Sequence, residues 1–288
     1  MKYAYGVTRR GRSHERRGTV CQDAHFIFSR DELQIAAVAD GLGSQTHSDM
    51  ASQTASRVAV EFCANEIPKS MDDSAVLEII RGAFQEAYNA VLCEADEMQF
   101  EYDQCDTTLS LAVLLDGFLY YGHAGDSGIF ALWENGLYEQ VTVPQNDEEG
   151  RVYPLCFGED MWAFGKSALK AASVLLCTDG IAKIFVPAYF RAQETKLYVA
   201  MLDYYMDPRR HEFRAADGGN QTLVEWLEND LQTNVDPDKV NQDDLTMVIL
   251  ADSDAATVRQ PDAYYRLPSE EEIRQAEENQ RKRLYPSA

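Results

Sequence analysis

The chain has 288 residues, is 45% hydrophobic and carries a formal charge of −22. That length supports one large domain or two small ones, with an ordinary apolar content for a full core. So negative a field repels nucleic acid and anionic membrane surfaces, and neither is expected as a partner.

The six cysteines form no Cys-x-x-Cys pair, and several lie in apolar runs. A free thiol there behaves as a small hydrophobe, which points to a reducing compartment without structural zinc. Residues 1–17 are rich in charge and lack an apolar signal core. No apolar run approaches the ~20 residues needed to cross a bilayer. A cytoplasmic location is expected.

Residues 2–8 alternate well enough for a first strand. Residues 9–17 read as a basic loop containing His14 and Arg17, a positive cluster in an acidic chain and a candidate anion site. Asp23 opens a strand, Asp31-Glu32 makes a turn, and 33–39 returns as an apolar strand ending at Asp40. If the two pair as an antiparallel hairpin, Asp23 and Asp40 lie at the same end. Gly41-Leu42-Gly43 then gives a turn tight enough to need residues without a Cβ. Apolar residues at helical spacing predict helices over 44–65 and 74–98, broken by 68–73. Asp106-Thr107-Thr108 leads into a buried strand, 109–115. Turn signals at Asp116-Gly117 and Asn135-Gly136 predict a meander through 118–123, 129–133 and 137–143, interrupted by Gly125-Asp126-Ser127-Gly128.

Residues 145–165 are polar and irregular, a long connection of the kind that is functional or mobile. A strand at 174–177 stops at Thr178-Asp179-Gly180. A short helical start at 181–185, helices over 187–206 and 221–232, and a polar link at 207–220 follow. Gln242-Asp243-Asp244 precedes the last strand, 245–250. One main domain is expected to span 1–252 and a charged tail 253–288, with a helix capped by Ser269.

Asp23, Asp40, Asp179 and Asp243 each stand at one end of an apolar run. Rigid carboxylates suit hard divalent cations such as Mg²⁺ and Mn²⁺, which take oxygen ligands and retain several waters. Two such ions about 3.5–4 Å apart clamp a phosphate and lower the pKa of a water between them. No cysteine, serine or histidine nucleophile is then required.

The ordered set Gln22-Asp23-Ala24, Ala39-Asp40-Gly41-Leu42-Gly43, Asp106-Thr107-Thr108, Gly122-His123-Ala124-Gly125-Asp126-Ser127, Cys177-Thr178-Asp179-Gly180 and Gln242-Asp243-Asp244-Leu245-Thr246 resembles the protein phosphatase 2C (PPM-type) family, in its shorter bacterial form. The resemblance covers about 6–251. It implies an α+β fold, a four-layer α/β/β/α sandwich of two central antiparallel sheets flanked by helix pairs. It implies that Asp40 bridges two Mg²⁺ or Mn²⁺ ions and that the Gly41 carbonyl ligates one. Asp179 and Asp243 hold the other, and Asp23 acts through a water on the metal. Asp126 matches a ligand of a third, weaker ion, and 145–165 the flap beside the active site. The substrate implied is a protein phosphorylated on serine or threonine, with a cognate kinase as partner.

Two positions depart from the family pattern. The arginine that grips the substrate phosphate, five residues before the first aspartate, is here Gly18, leaving Arg17 and His14 as candidate phosphate-binding residues. Gly128 stands where arginine often follows Gly-Asp-Ser. The first departure keeps two other readings open, a pseudophosphatase that binds phosphoprotein and a phosphohydrolase of small molecules.

Overall fold

The structure, a computed structural model, describes residues 1–68, 71–187, 197–215, 218–233 and 242–284. In chain order, β1 (Lys2–Arg9) is followed by a short helix α1 (Arg12–Arg17), the hairpin β2 (Asp23–Arg30) and β3 (Leu33–Asp40), and two long helices, α2 (Ser48–Glu66) and α3 (Asp73–Met98). The meander β4 (Leu109–Leu115), β5 (Phe118–Ala124), β6 (Gly128–Trp133) and β7 (Tyr138–Gln140) leads to the long β8 (Ala163–Cys177). Helices α4 (Asp179–Phe185), α5 (Val199–Met206), α6 (Pro208–Ala215) and α7 (Gly219–Thr233) precede β9 (Leu245–Asp252), and α8 (Glu270–Leu284) ends the described chain.

The fold is α+β, and every strand pairing is antiparallel. Among the described residues, nine strands form one connected system in which β8 is shared. Its first half pairs with β5, and so with β4, β3 and β2; its second half pairs with β6 and β9, and β9 with β1. The period-two alternation of side chains sorts the core. Ile35, Ala37 and Ala39 of β3 pack with the apolar faces of α2 and α3. Ala36 and Val38, from the same strand, join Val174, Leu176, Val248 and Leu250 in a second cluster that takes residues from both halves of the strand system. Leu175, Cys177, Met247 and Ile249 turn the other way, toward α4, α5 and α7.

Several expected boundaries change. The basic loop at 9–17 is the end of β1 plus the helix α1, which carries too few residues to show a period. The link expected at 207–220 contains α6, because Pro208 occupies the first helical turn, where proline is tolerated. Only 138–140 of the expected strand 137–143 pairs, and the expected strand at 174–177 is the end of one beginning at Ala163. The helix expected at 187–206 is described only from Val199, as residues 188–196 lie outside the described chain.

Segment 145–165 is pinned at both ends and in the middle. Gln145 N–H donates to the Gly125 carbonyl at 2.8 Å, Leu155 N–H to the Thr107 carbonyl at 2.8 Å, and Trp162 packs edge-on against Phe84 of α3. Residues after β9 also dock. Val258 N–H donates to Glu134 O at 3.0 Å, and Arg259 pairs with buried Asp203 at 3.0 Å. Helix α8 opens on a reciprocal cap, with Glu272 N–H on Ser269 Oγ (3.3 Å) and Ser269 N–H on Glu272 Oε2 (2.8 Å).

Candidate active site

Asp23 and Asp40 face each other as a cross-strand pair where β2 begins and β3 ends. Asp23 is buried, and its Oδ2 accepts a hydrogen bond from Thr178 Oγ1 at 2.7 Å. Asp106-Thr107-Thr108 holds the backbone of Asp40. Thr107 Oγ1 and Thr108 N–H both donate to the Asp40 carbonyl (3.0 and 2.8 Å), and Asp40 N–H donates to Thr108 Oγ1 (2.9 Å). Gly41 follows in a space with no room for a side chain. A Cβ there would stand 2.5 Å from the Ser48 carbonyl oxygen and 2.8 Å from that of Gln22. Its N–H donates to Gln22 O at 3.0 Å, tying the two motifs together.

Three further aspartates come from distant chain positions. Asp126 lies between β5 and β6, Asp179 opens α4 directly after β8, and Asp243 immediately precedes Asp244 at the start of β9. Their convergence is visible in the proton affinity of Asp40. Its carboxyl is pushed well above the ordinary range, first by burial, then by the negative charges of Asp23, Asp179, Asp126 and Asp243. Asp23 is also raised, chiefly by burial, against the pull of its hydrogen bond from Thr178. Asp126 rises to about 6 through burial and Asp179, with Lys183 acting in the opposite direction. Asp126, Asp179 and Lys183 line one side of a cavity of about 440 Å³ that Pro144 and Asn146 border.

These donors are all hard oxygens, which suits Mg²⁺ or Mn²⁺ and not zinc. Among the described residues, no three His, Cys, Asp or Glu side chains stand close enough together to hold one ion.

The protein phosphatase 2C family model matches residues 10–228. This chain belongs to the protein phosphatase 2C family. Solved structures carry the same fold. A bacterial serine phosphatase superposes with a TM-score of 0.59 at 15% identity, covering 90% of this chain and 100% of that one. Serine/threonine phosphatase Stp1 from Staphylococcus aureus gives 0.56 at 17%, covering 88% and 95%. The serine/threonine phosphatase PstP/Ppp of Mycobacterium tuberculosis gives 0.51 at 16%, covering 87% and 98%. No curated protein matches by sequence. The family match ends before Asp243, whose place in the site rests on its position beside the other aspartates.

The phosphatase 2C pattern departs at Gly18 for a backbone reason. Gly18 caps α1 in the left-handed conformation, with φ at 72°, and its N–H returns to Glu15 O at 3.2 Å. Arg17, in the last turn of α1, is exposed and has no ion-pair partner among the described residues. His14, a candidate phosphate-binding residue from sequence, is engaged elsewhere. It is buried, with Nδ1 2.8 Å from Asp244 Oδ2 and Nε2 3.6 Å from Asp243 Oδ1.

Asp244, to which the sequence reading gave no role, organises this corner. Its buried carboxylate accepts from Gly11 N–H and Gln22 N–H, both at 2.6 Å, besides meeting His14. One side chain thus ties α1, the start of β2 and the Asp243 turn together. The doubled aspartate at 243–244 was the available signal, but which of the two faces inward is a tertiary matter.

Proposed function

We propose that this protein is a metal-dependent serine/threonine phosphatase with a dinuclear centre of Mg²⁺ or Mn²⁺, acting on phosphorylated proteins in the cytoplasm opposite a cognate kinase. The observation that carries this reading is the convergence of Asp23, Asp179, Asp126 and Asp243 on Asp40 from separate chain segments. The three hydrophobic clusters are what a four-layer α/β/β/α sandwich requires, and that layering is part of the proposal.

In this reading Asp40, the Gly41 carbonyl, Asp179 and Asp243 would between them hold the two ions, and Asp126 would face a third, weaker one. When bound, such ions neutralise phosphoryl charge and make water nucleophilic near neutral pH. Asp23, fixed by the Thr178 hydroxyl, would orient the attacking water and accept its proton. The water oxygen forms the new bond to phosphorus as the bond to the seryl or threonyl oxygen breaks. Leu42 follows Gly41, so no histidine at that position can protonate the leaving oxygen, and a water held at the centre or another residue would do so. In this reading Arg17, exposed at the end of α1, meets the phosphate. The segment 145–165, pinned on Thr107 and Gly125, forms one wall and bears on substrate choice.

The test is hydrolysis of a phosphothreonine peptide with Mn²⁺, with chelator, and by Asp179→Ala. Turnover that requires Mn²⁺ and disappears in the variant supports the phosphatase. The left-handed cap at Gly18, where the family carries its phosphate-gripping arginine, favours a second reading, a phosphoprotein-binding pseudophosphatase. Mn²⁺ binding with no turnover of any phosphopeptide or small phosphate ester supports that one, and turnover of small esters alone supports a small-molecule phosphohydrolase.

A further inference from the structure

The end of β1 and the start of α1 lie across the turn that bears Asp243. Arg9 pairs in register with Leu245. Gly11 N–H donates to Asp244 Oδ1 at 2.6 Å, and Ser13 N–H to the Gln242 carbonyl at 2.8 Å. Gly11 packs so closely that a Cβ on it would stand 2.2 Å from the Asp243 carbonyl oxygen. The backbone on either side of this glycine, at Arg10 and Arg12, is thereby fixed beside Asp243. With Arg9 these arginines line a cavity of about 240 Å³ whose wall Asp243 shares. Asp244 joins the same turn to Gln22 N–H at 2.6 Å, one residue before Asp23, so the cavity adjoins the candidate active site.

The cavity's charge runs against that of the chain. Five of the nine residues 9–17 are arginine, in a protein of net charge −22. A guanidinium stays protonated at physiological pH and offers a planar fork that fits a carboxylate or phosphate. Arg10 and Arg12 are exposed, and Arg10 Nη2 donates to the uncharged His14 carbonyl at 2.9 Å, which orients its fork. Arg9 Nη1 stands 3.8 Å from Glu228 Oε1, a long pair open to solvent. Among the described residues, three guanidiniums line the cavity against two carboxylates, Glu15 and Asp243. A metal ion on Asp243 would leave Glu15 to oppose them. The field of so acidic a chain repels an anionic segment, and a basic pocket beside the centre reverses that sign locally.

We infer that the cavity lined by Arg9, Arg10 and Arg12 binds an acidic side chain of the phosphoprotein substrate, so that this chain prefers phosphorylated residues set among aspartates or glutamates. The inference rests on the phosphatase reading above and names its substrate class. A solvated patch whose arginines serve only Glu15 and Glu228 is the competing account. Exposed pairs of that kind contribute little and give no substrate preference.

The experiment measures hydrolysis, with Mn²⁺, of two phosphothreonine peptides, one flanked on both sides by glutamates and the other by glutamines. Fluorescence anisotropy of the same peptides reports binding independently of turnover. The unchanged protein is compared with Arg10→Gln, with the pair Arg9→Gln and Arg10→Gln, and with a pair of equal charge change on remote helices, Arg57→Gln and Arg274→Gln. Thermal melts show which variants are folded, and the single variant at an exposed position serves if the pair at 9 and 10 does not fold. We expect the unchanged protein to show a KM at least about 5-fold lower for the acidic peptide, shrinking as salt rises. The preference should weaken in Arg10→Gln, vanish through KM in the pair at 9 and 10, and persist in the remote pair. Equal KM for both peptides in the unchanged protein, or a preference that survives the pair at 9 and 10, overturns the inference and leaves the phosphatase standing. Equal loss in the remote pair overturns it too, since net charge then accounts for the effect. A binding preference that depends on Arg9 and Arg10, with no turnover of either peptide, overturns the phosphatase reading and leaves the pocket. Equal binding of both peptides without turnover overturns both.

Discussion

Thr178 shows how much of the site depends on side chains behind the acidic residues. Its hydroxyl donates to Asp23 at 2.7 Å and accepts from Thr246 N–H at 3.2 Å, joining the end of β8 to the starts of β2 and β9. Partners of this kind orient ligands and set their basicity. Replacing Thr178 by valine keeps the shape and removes the donor. We expect Mn²⁺ affinity to fall by about 10–100-fold, measured by calorimetry, with the melting temperature in chelator changing little by comparison. An unchanged affinity would remove Thr178 and Asp23 from the metal centre. The threonine was visible in its motif, but its partner lies 155 residues away and no local pattern names it.

At the scale of elements, α1 is the piece that local pattern misjudged. Six residues give fewer than two turns, too short for a hydrophobic period and marginal alone in water. It forms because tertiary partners hold its ends, with Gly11 N–H on Asp244 at the start and Gly18 turning left-handed at the finish. Nothing lies within 4 Å of a Cβ built on Gly18, so a substitution there meets backbone strain and no clash. We expect Gly18→Ala to cost about 1–2 kcal/mol of stability, read from chemical denaturation, while leaving kcat for a phosphopeptide unchanged. A large loss of kcat would mean that the cap positions Arg17 for the reaction. The long β8 tells a similar story. Only its apolar last part, the residues expected at 174–177, read as strand, because 163–170 is half-polar and gains its pairing from β5.

For the whole molecule the governing quantity is charge. Part of the net −22 gathers where five aspartates act on one another around Asp40, and the burial of Asp23 weakens the screening by water there. A carboxyl whose folded pKa is raised binds its proton more tightly in the fold than in the open chain. The ion-free protein therefore loses stability as pH rises from the ordinary carboxylate value through the raised one, about 6 for Asp126. Divalent ions offset that loss and stabilise the native state by mass action, about 2.7 kcal/mol at a hundredfold excess over Kd. For a chain of this size we expect Mn²⁺ to raise the melting temperature by at least about 5 °C near neutral pH. Protons compete for the same oxygens, so the rise should shrink as pH falls below about 6. Asp40→Asn should abolish most of it. A melting temperature indifferent to Mn²⁺ at neutral pH would sink the acidic cluster as a metal centre.

The amino-acid sequence alone determined the hairpin that sets Asp23 opposite Asp40, the two long helices, the strand-turn meander and the family. These are local signals, namely apolar runs, turn residues and short motifs in a fixed order. The tertiary structure decided which face of each motif turns inward. It chose Asp244 over Asp243 as the buried anchor, withdrew His14 from the phosphate, assigned Thr107 and Thr108 to the backbone of Asp40, and brought Lys183 to the wall that Asp126 shares. Each of these depends on contacts between segments far apart in the chain. A side chain's partner across such a distance is fixed by strand register and packing, which no window of sequence contains.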